Sequence, residues 1–273
     1  MGRRDSFQRP FLDKLGQHST LEASLLITIP TYNDSSMIQT TVEQVTGELE
    51  NLGDARLLVA DDGSTDRTFE ILTALVLRYP QLVVSGFTRN VGRGRLLRQM
   101  WSRASADVYV YMDSDLASDL ARLPRLIAAV KEGCELATGS RYVATSQVRR
   151  PLLRYLVSRA YNLLVNAIFN EKISDHQCGF KALSRQAVGF LLPLCFDERW
   201  FFDTELLVLG ERLGLSVCEL PVNWEERKWK RTSLSRLLGD TLVILPPLLR
   251  MVWRLRKMPK QTREKQVEQV AYT

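Results

Sequence analysis

Short, continuous apolar runs alternate along the chain with longer stretches in which apolar residues recur every three or four positions. Residues 25–29 (LLITI), 56–60 (RLLVA), 82–84 and 108–112 (VYVYM) read as buried strands, as do 135–138, 179–183 and 216–222. The intervening periodicity predicts helices over 35–52, 68–79, 95–104, 120–131, 151–169 and 202–213. Asp34 or Ser35 is the expected N-cap of the first helix and Gly53 its stop, and Ser118 or Asp119 is placed to cap the helix at 120. Strands alternating with helices in this way predict an α/β fold with a mainly parallel central sheet flanked by helices. The boundaries fall as an N-terminal extension over 1–22, a principal domain over 23–230, and a basic amphipathic C-terminal helix and tail over 231–273. An arginine-rich connection, 143–150, reads as a mobile loop.

Composition changes this picture in two places. At 273 residues, 45% hydrophobic and 25% charged, the chain is long enough for a sizeable core and ordinary in makeup. Its net charge of +6 is uneven, however, with basic residues crowding from Arg227 onward. That bias suits a phosphorylated ligand, an anionic membrane surface or nucleic acid. Four cysteines, at 134, 178, 195 and 218, lack metal-ligand spacing, so free thiols and the cytosolic side are expected. The apolar stretch LVILPPLLRMVW (242–253) is interrupted by two prolines and an arginine and falls short of the ~20 residues of a spanning helix. It suits either an interfacial helix or a buried terminal one.

In a parallel sheet, ligands collect at the carboxyl ends of strands. PTYND (30–34), DDGSTD (61–66), DSD (113–115) and GSR (139–141) all fall at such ends. The strand at 108–112 runs directly into Asp113 and Asp115, whose repulsion a hard divalent cation, Mg²⁺ or Mn²⁺, would relieve. VGRGRLL (91–97) begins like a dinucleotide fingerprint, but Leu97 replaces its third glycine and no ribose-binding acid follows. With no Walker lysine either, hydride transfer and P-loop hydrolysis are poor fits.

PTYND, VADDGSTD, NVGRGRLLR, MDSDLA, TGSRY and DHQCGF, in that order, resemble the family 2 glycosyltransferases of the GT-A fold, over about residues 25–229. GSRY and the stretch from Asp175 to Lys181 resemble the polyprenyl-phosphate branch, the dolichyl-phosphate glucose and mannose synthases. The resemblance implies nucleotide contacts at Pro30, Tyr32, Asp34 and Asp62, with Asn90, Gly92 and Arg93 in the donor loop. It implies that Asp113, Ser114 and Asp115 grip the diphosphate, Asp113 and Asp115 through the metal. Arg141 and Arg227 would act at the reaction centre, and Arg154 and Ser158 would bind the lipid phosphate. Departures from the family are Arg93 and Arg95 where Lys-Gly-small is usual, and Ala117 where some relatives carry glutamine.

The expected reaction is inverting transfer of a hexose, glucose ahead of mannose, from UDP-glucose or GDP-mannose to dolichyl or polyprenyl phosphate. It would take place at the cytosolic face of a membrane, with room for a membrane-protein partner and no role for nucleic acid. A phosphate monoester, with a second pKa of about 6, is already nucleophilic near neutrality. A saccharide or protein acceptor is the alternative; it needs a base, for which Asp175 and Asp203 are the candidates. Against a non-catalytic nucleotide-sugar or nucleic-acid binding protein stands the acidic pair, which repels a polyanion.

Overall fold

The structure, a computed structural model, describes residues 8–225 and 234–257. In chain order its elements are β1 (Gln8–Asp13), β2 (Gly16–His18), β3 (Leu21–Thr31), α1 (Ile38–Leu49), β4 (Ala55–Asp62), α2 (Thr68–Val76), β5 (Leu82–Phe87), α3 (Arg93–Trp101) and β6 (Ala104–Met112). There follow α4 (Leu123–Lys131), β7 (Leu136–Ser140), β8 (Gln147–Arg149), α5 (Leu152–Phe169), β9 (Phe180–Ser184), α6 (Arg185–Leu191), α7 (Phe202–Arg212), β10 (Val217–Pro221), β11 (Asn223–Glu225) and α8 (Leu234–Lys257).

Nine strands form one sheet in the order β10-β7-β9-β6-β3-β4-β5-β1-β2. β6, β3, β4 and β5 are mutually parallel, as are β7 and β10, whereas β9 lies antiparallel between β6 and β7. The expected mainly parallel sheet is therefore present, with two reversed strands, β9 between β7 and β6 and β1 between β5 and β2.

Alternation along the buried strands builds two cores. Leu25, Ile27 and Ile29 of β3 face one layer with α1, α2 and α4, while Leu26 faces the other with α3, α6 and α7. Thr28, the polar residue within LLITI, is fully buried and accepts a hydrogen bond from the Trp101 indole N–H at 2.9 Å. That bond removes the cost of an unpaired hydroxyl inside the sheet. The first helix begins later than its periodicity suggests, at Ile38, because the Asp34 carbonyl accepts from both Met37 and Ile38 and closes a turn first. Asp119 does cap the next segment as expected, its carboxylate accepting from Ala121.

Three expectations need correction. Residues 8–18, assigned to an extension, add β1 and β2 to the sheet edge and bury Phe11 completely in the core. The connection 143–150 is not a bare loop, since β8 within it pairs in parallel with β11. Cys134 and Cys218 are joined in a disulfide, leaving Cys178 and Cys195 as buried free thiols. Among the described residues, no helix is long and apolar enough to cross a membrane.

Behind β9, the connection from α5 buries Glu171 within 3.6 Å of His176 Nε2. Burial pushes the Glu171 carboxyl up to about 7 and the His176 imidazole down to about 4. A carboxyl raised on folding favours the folded state while protonated, so its contribution is lost as pH climbs from the unfolded value of 4.5 through about 7.

Two outcomes are expected. Phe11→Ala should cost about 3–5 kcal/mol in urea unfolding, where a peripheral strand would lose under ~1. Glu171→Gln should match the wild type below pH ~4.5 and exceed it at pH 8 by up to about 3 kcal/mol, read from unfolding across that range.

Candidate active site

The motifs at the strand ends hold one another in place. Asn33, in a left-handed conformation with φ 54°, accepts from the Thr65 N–H at 2.8 Å and donates its own N–H to Ser64 Oγ at 2.9 Å. PTYND and DDGSTD are thereby tied across the ends of β3 and β4. Asp34 Oδ2 accepts from Ser114 Oγ at 2.5 Å and from Thr31 Oγ1 at 3.1 Å, and Thr41 Oγ1 donates to the Ser114 carbonyl at 2.7 Å. Asp34 and Ser114, read from sequence as ligand contacts, are both buried and anchor the acidic loop to β3 and α1.

Asp62 Oδ1 and Oδ2 accept from the Val91 and Gly92 N–H groups at 2.7 and 3.0 Å. Burial raises its pKa, and those two backbone bonds oppose the rise. Its observed work is to fasten the NVGRG turn to the end of β4. Gly92 adopts φ 93°, and a Cβ there would meet the Glu198 carbonyl. Neighbouring Asp61 is fully buried and pairs with Arg9 of β1 at 3.1 Å, a contact that sequence reasoning missed. Of the remaining nucleotide candidates, Tyr32 and Asn90 are exposed and Pro30 is half-buried.

Asp113 and Asp115 sit at the open end of β6, both partly exposed. The Asp113 N–H donates to the Gly179 carbonyl at 3.1 Å, and Asp115 Oδ1 accepts from Ala117 N–H at 3.2 Å. Arg93 Nη2 lies 3.0 Å from Asp113 Oδ1 and 3.5 Å from Asp203 Oδ2. Its guanidinium carbon stands 5.2 Å from the Tyr111 ring centroid and 5.0 Å from that of Trp200. Asp203 also takes Lys181 Nζ at 2.9 Å. Burial moves this pair toward neutrality, Asp203 up to about 6 and Lys181 down to about 8, which still leaves both charged near pH 7.

A lysine in the apolar run FKAL was the signal for this network: a buried ammonium demands a carboxylate, and FDTEL supplies it.

Arg141 is also buried. Its Nε and Nη2 donate to Asp175 Oδ2 and Oδ1 at 2.7 and 2.8 Å, and its N–H donates to Oδ2 at 3.0 Å. Burial alone would raise the Asp175 carboxyl, but the Arg141 guanidinium outweighs it and holds the pKa down. The Arg141 guanidinium faces the Trp224 ring at 4.9 Å. Ser158, on the inner side of α5, shares a 2.6 Å hydrogen bond with Tyr142 OH and accepts from Arg150 Nη1 at 3.0 Å. Its own hydroxyl lies 3.1 Å from the Arg154 carbonyl one turn earlier. Tyr142 and Arg150 were not singled out from sequence. Arg227 lies outside the described residues.

Two carboxylates on one loop suit Mg²⁺ or Mn²⁺, which fills its shell from phosphate and water. Among the described residues no cluster of three His, Cys, Asp or Glu accompanies them. The Arg93 guanidinium already occupies a cation's place against Asp113, so the pair fits an ion bound jointly with an anionic ligand.

A carboxylate pair at the end of a central strand, flanked by arginines and by loops interlocked over a mainly parallel sheet, defines a glycosyltransferase of the GT-A fold. The chain belongs to glycosyl transferase family 2, whose model matches residues 26–191. It is 37% identical over 241 residues to the glycosyltransferase AglD of Haloferax volcanii, a match covering 87% of this chain and 38% of that protein. The chain thus spans well under half the length of that relative. With the dolichyl-phosphate beta-glucosyltransferase of Saccharomyces cerevisiae it shares 26% identity, covering 89% and 80% of the two chains. With the dolichol-phosphate mannosyltransferase of Pyrococcus furiosus it shares 32%, covering 85% and 63%. Among solved structures, glucosyl-3-phosphoglycerate synthase from Mycobacterium tuberculosis in complex with uridine diphosphate is similar in fold. Its TM-score is 0.65 at 22% identity, over 84% of this chain and 80% of that one.

Gly179 gives a direct probe of the acidic pair, because a Cβ there would overlap the Asp113 carboxylate. The colliding atoms are the end of a side chain, so Gly179→Ala should fold normally while displacing Asp113. Mn²⁺ binding, followed by electron paramagnetic resonance, is expected to weaken ~10-fold or more.

Proposed function

We propose that the protein transfers a hexose from a nucleotide-diphosphate sugar to the phosphate of a polyprenyl or dolichyl lipid at a membrane surface. The observation that carries this reading is the state of the two carboxylates that a hydroxyl acceptor would require as bases. Asp175 has both oxygens on Arg141, and Asp203 is buried between Lys181 and Arg93. Neither is placed to take a proton from an incoming alcohol. A phosphate oxygen needs no such help near neutrality. The named activities of the yeast and Pyrococcus relatives, both dolichyl-phosphate glycosyltransferases, support the same acceptor class.

In this reading the lipid phosphate oxygen forms a bond to the anomeric carbon as the bond to the β-phosphate oxygen breaks. The nucleoside diphosphate leaves with the electron pair, and the anomeric configuration inverts. When bound by Asp113 and Asp115, a divalent cation would neutralise charge growing on the diphosphate; Mn²⁺ and uridine diphosphate together in the mycobacterial enzyme agree with this. Arg93, beside Asp113, adds a fixed positive charge to the same region. Arg141, locked in place by Asp175, presents its charge without reorganisation, and Tyr142, Arg150 and Ser158 make the adjoining donor cluster for the acceptor phosphate.

Several glucosyltransferases among the relatives favour UDP-glucose as donor, with GDP-mannose close behind. The cytosolic face stays part of the proposal, with Cys134 and Cys218 paired and Cys178 and Cys195 free. A membrane-protein partner would be compatible with the same geometry.

Purified protein mixed with dolichyl phosphate, Mn²⁺ and labelled UDP-glucose or GDP-mannose should move label into the organic phase from one donor. Asp115→Ala should lower that rate by at least ~100-fold. Label passing only to water or to a soluble acceptor would sink the lipid-phosphate reading.

A further inference from the structure

Residues 199–202 read RWFF, and the three aromatics part company. Phe201 and Phe202 are 3% and 0% exposed in the core, whereas Trp200, the largest of them, is 64% exposed. An indole left in water forgoes the burial that would stabilise the fold, so a use for it must be sought elsewhere. The loop presenting it is tightly held. The Gly94 and Arg95 N–H groups donate to the Glu198 carbonyl at 3.0 and 3.3 Å, and the Phe196 and Asp197 N–H groups donate to Glu205 Oε2 at 2.9 and 2.8 Å. Arg98 Nη1 donates to the Cys195 carbonyl at 2.6 Å, and a Cβ on Gly94 would meet the Asp197 carbonyl. Residues 195–200 are therefore clamped onto the NVGRG turn and the start of α3.

The exposed ring stands beside the acidic pair. Its centroid is 5.0 Å from the Arg93 guanidinium carbon, and Arg93 Nη2 is 3.0 Å from Asp113 Oδ1. In the sheet, β6 and its Asp113 separate β3 and β4 on one side from β9 on the other. The nucleotide candidates Tyr32 and Asp62 belong to the ends of β3 and β4. Arg93 instead reaches from Asp113 to Asp203, the partner of Lys181 on β9. With a diphosphate on the acidic pair and its nucleoside over β3 and β4, the other end of the diphosphate falls toward Arg93 and Trp200. That end carries the hexose.

The surroundings of the ring select its occupant. Glu198 and Arg199 beside it are exposed and charged, and Arg93 Nε is buried with no hydrogen-bond partner among the described residues. An apolar face rimmed by charged donors and acceptors suits a pyranose, which has a C–H face and a hydroxyl edge. An isoprenoid chain would leave that rim desolvated and unpaired.

We propose that Trp200 is a specificity-determining residue that stacks on the hexose of the nucleotide-sugar donor. This rests on the donor half of the proposed function and not on its lipid acceptor.

The test is titration calorimetry with Mn²⁺, comparing UDP with UDP-glucose and GDP with GDP-mannose. Trp200→Ala should bind the nucleotide sugar at least about fivefold more weakly, yet hold the matching nucleoside diphosphate within about twofold of the wild type. Trp200→Phe, which keeps a ring, should recover most of the loss. Phe196→Ala removes another exposed aromatic of this loop, one that faces Arg254 at 4.8 Å, and should leave both affinities unchanged. In the transfer assay, Trp200→Ala should raise KM for the donor.

Equal weakening of nucleotide sugar and bare diphosphate, an unaltered affinity in Trp200→Ala, or the same selective loss in Phe196→Ala would each overturn the stacking. A selective loss in Trp200→Ala, with no labelling of dolichyl phosphate by the wild type, would sink the lipid acceptor and leave the stacking in place. Lipid labelling by Trp200→Ala with an unaltered donor KM would do the reverse.

Discussion

Charges buried beside β9 must be paired, and much of the site follows from that constraint. Between Asp175 and Lys181 the chain passes under the open ends of β6 and β7, carrying an anion at one end and a cation at the other. Each is completely removed from water, and each would be prohibitively costly alone. Asp175 therefore fixes Arg141, and Lys181 fixes Asp203, which in turn draws Arg93 toward Asp113. Between those two anchors, the Gly179 carbonyl takes the Asp113 N–H. One antiparallel strand inserted among parallel ones thus sets the positions of an arginine, a carboxylate and the loop that joins them.

A second set of constraints acts at the ends of β3 and β4, where backbone amides take the place of opposite charges. The Asp62 carboxylate is satisfied by two amides of the NVGRG turn, and Asn33 by the amides of DDGSTD. Loops held by such bonds lose little further entropy when a ligand arrives, which is how affinity is gained without adding contacts. It also means that an acidic residue at a strand end need not touch ligand. Asp34 and Ser114 illustrate this, since their shared bond is buried and orients the acidic loop from behind.

The sheet was largely legible from sequence because each buried strand is a continuous apolar run and each helix keeps its period. What escaped were elements whose residues carry no such pattern. β1 reads QRPFLD, with a proline and charges, and gains its place by pairing with β5, by burying Phe11 and by the Arg9–Asp61 ion pair. β8 and β11 are three residues each, too short for any periodicity to register. In the site, the acidic pair and Arg141 were visible as residue types at strand ends. The ion pairs of Asp61 with Arg9 and of Arg93 with Asp203 were not, because those residues are far apart in sequence and only the folded chain brings them near. A disulfide between Cys134 and Cys218 was hidden for the same reason, its cysteines 84 residues apart on neighbouring strand segments.

Arg93 shows why the family's more usual lysine is replaceable here at a position next to the acidic pair. An ammonium would present a compact, strongly hydrated charge, and burial would press it toward neutrality, as it does Lys181. A guanidinium keeps its charge: burial works against it, but Asp113 and Asp203 more than offset that and raise its pKa. Its guanidinium carbon also lies over the Tyr111 and Trp200 rings, at 5.2 and 5.0 Å. The group is shared between Asp113 and Asp203 rather than committed to one bidentate pair, in contrast to Arg141. The two arginines thus differ in geometry: Arg141 is held by one two-point bond, and Arg93 is divided between two carboxylates.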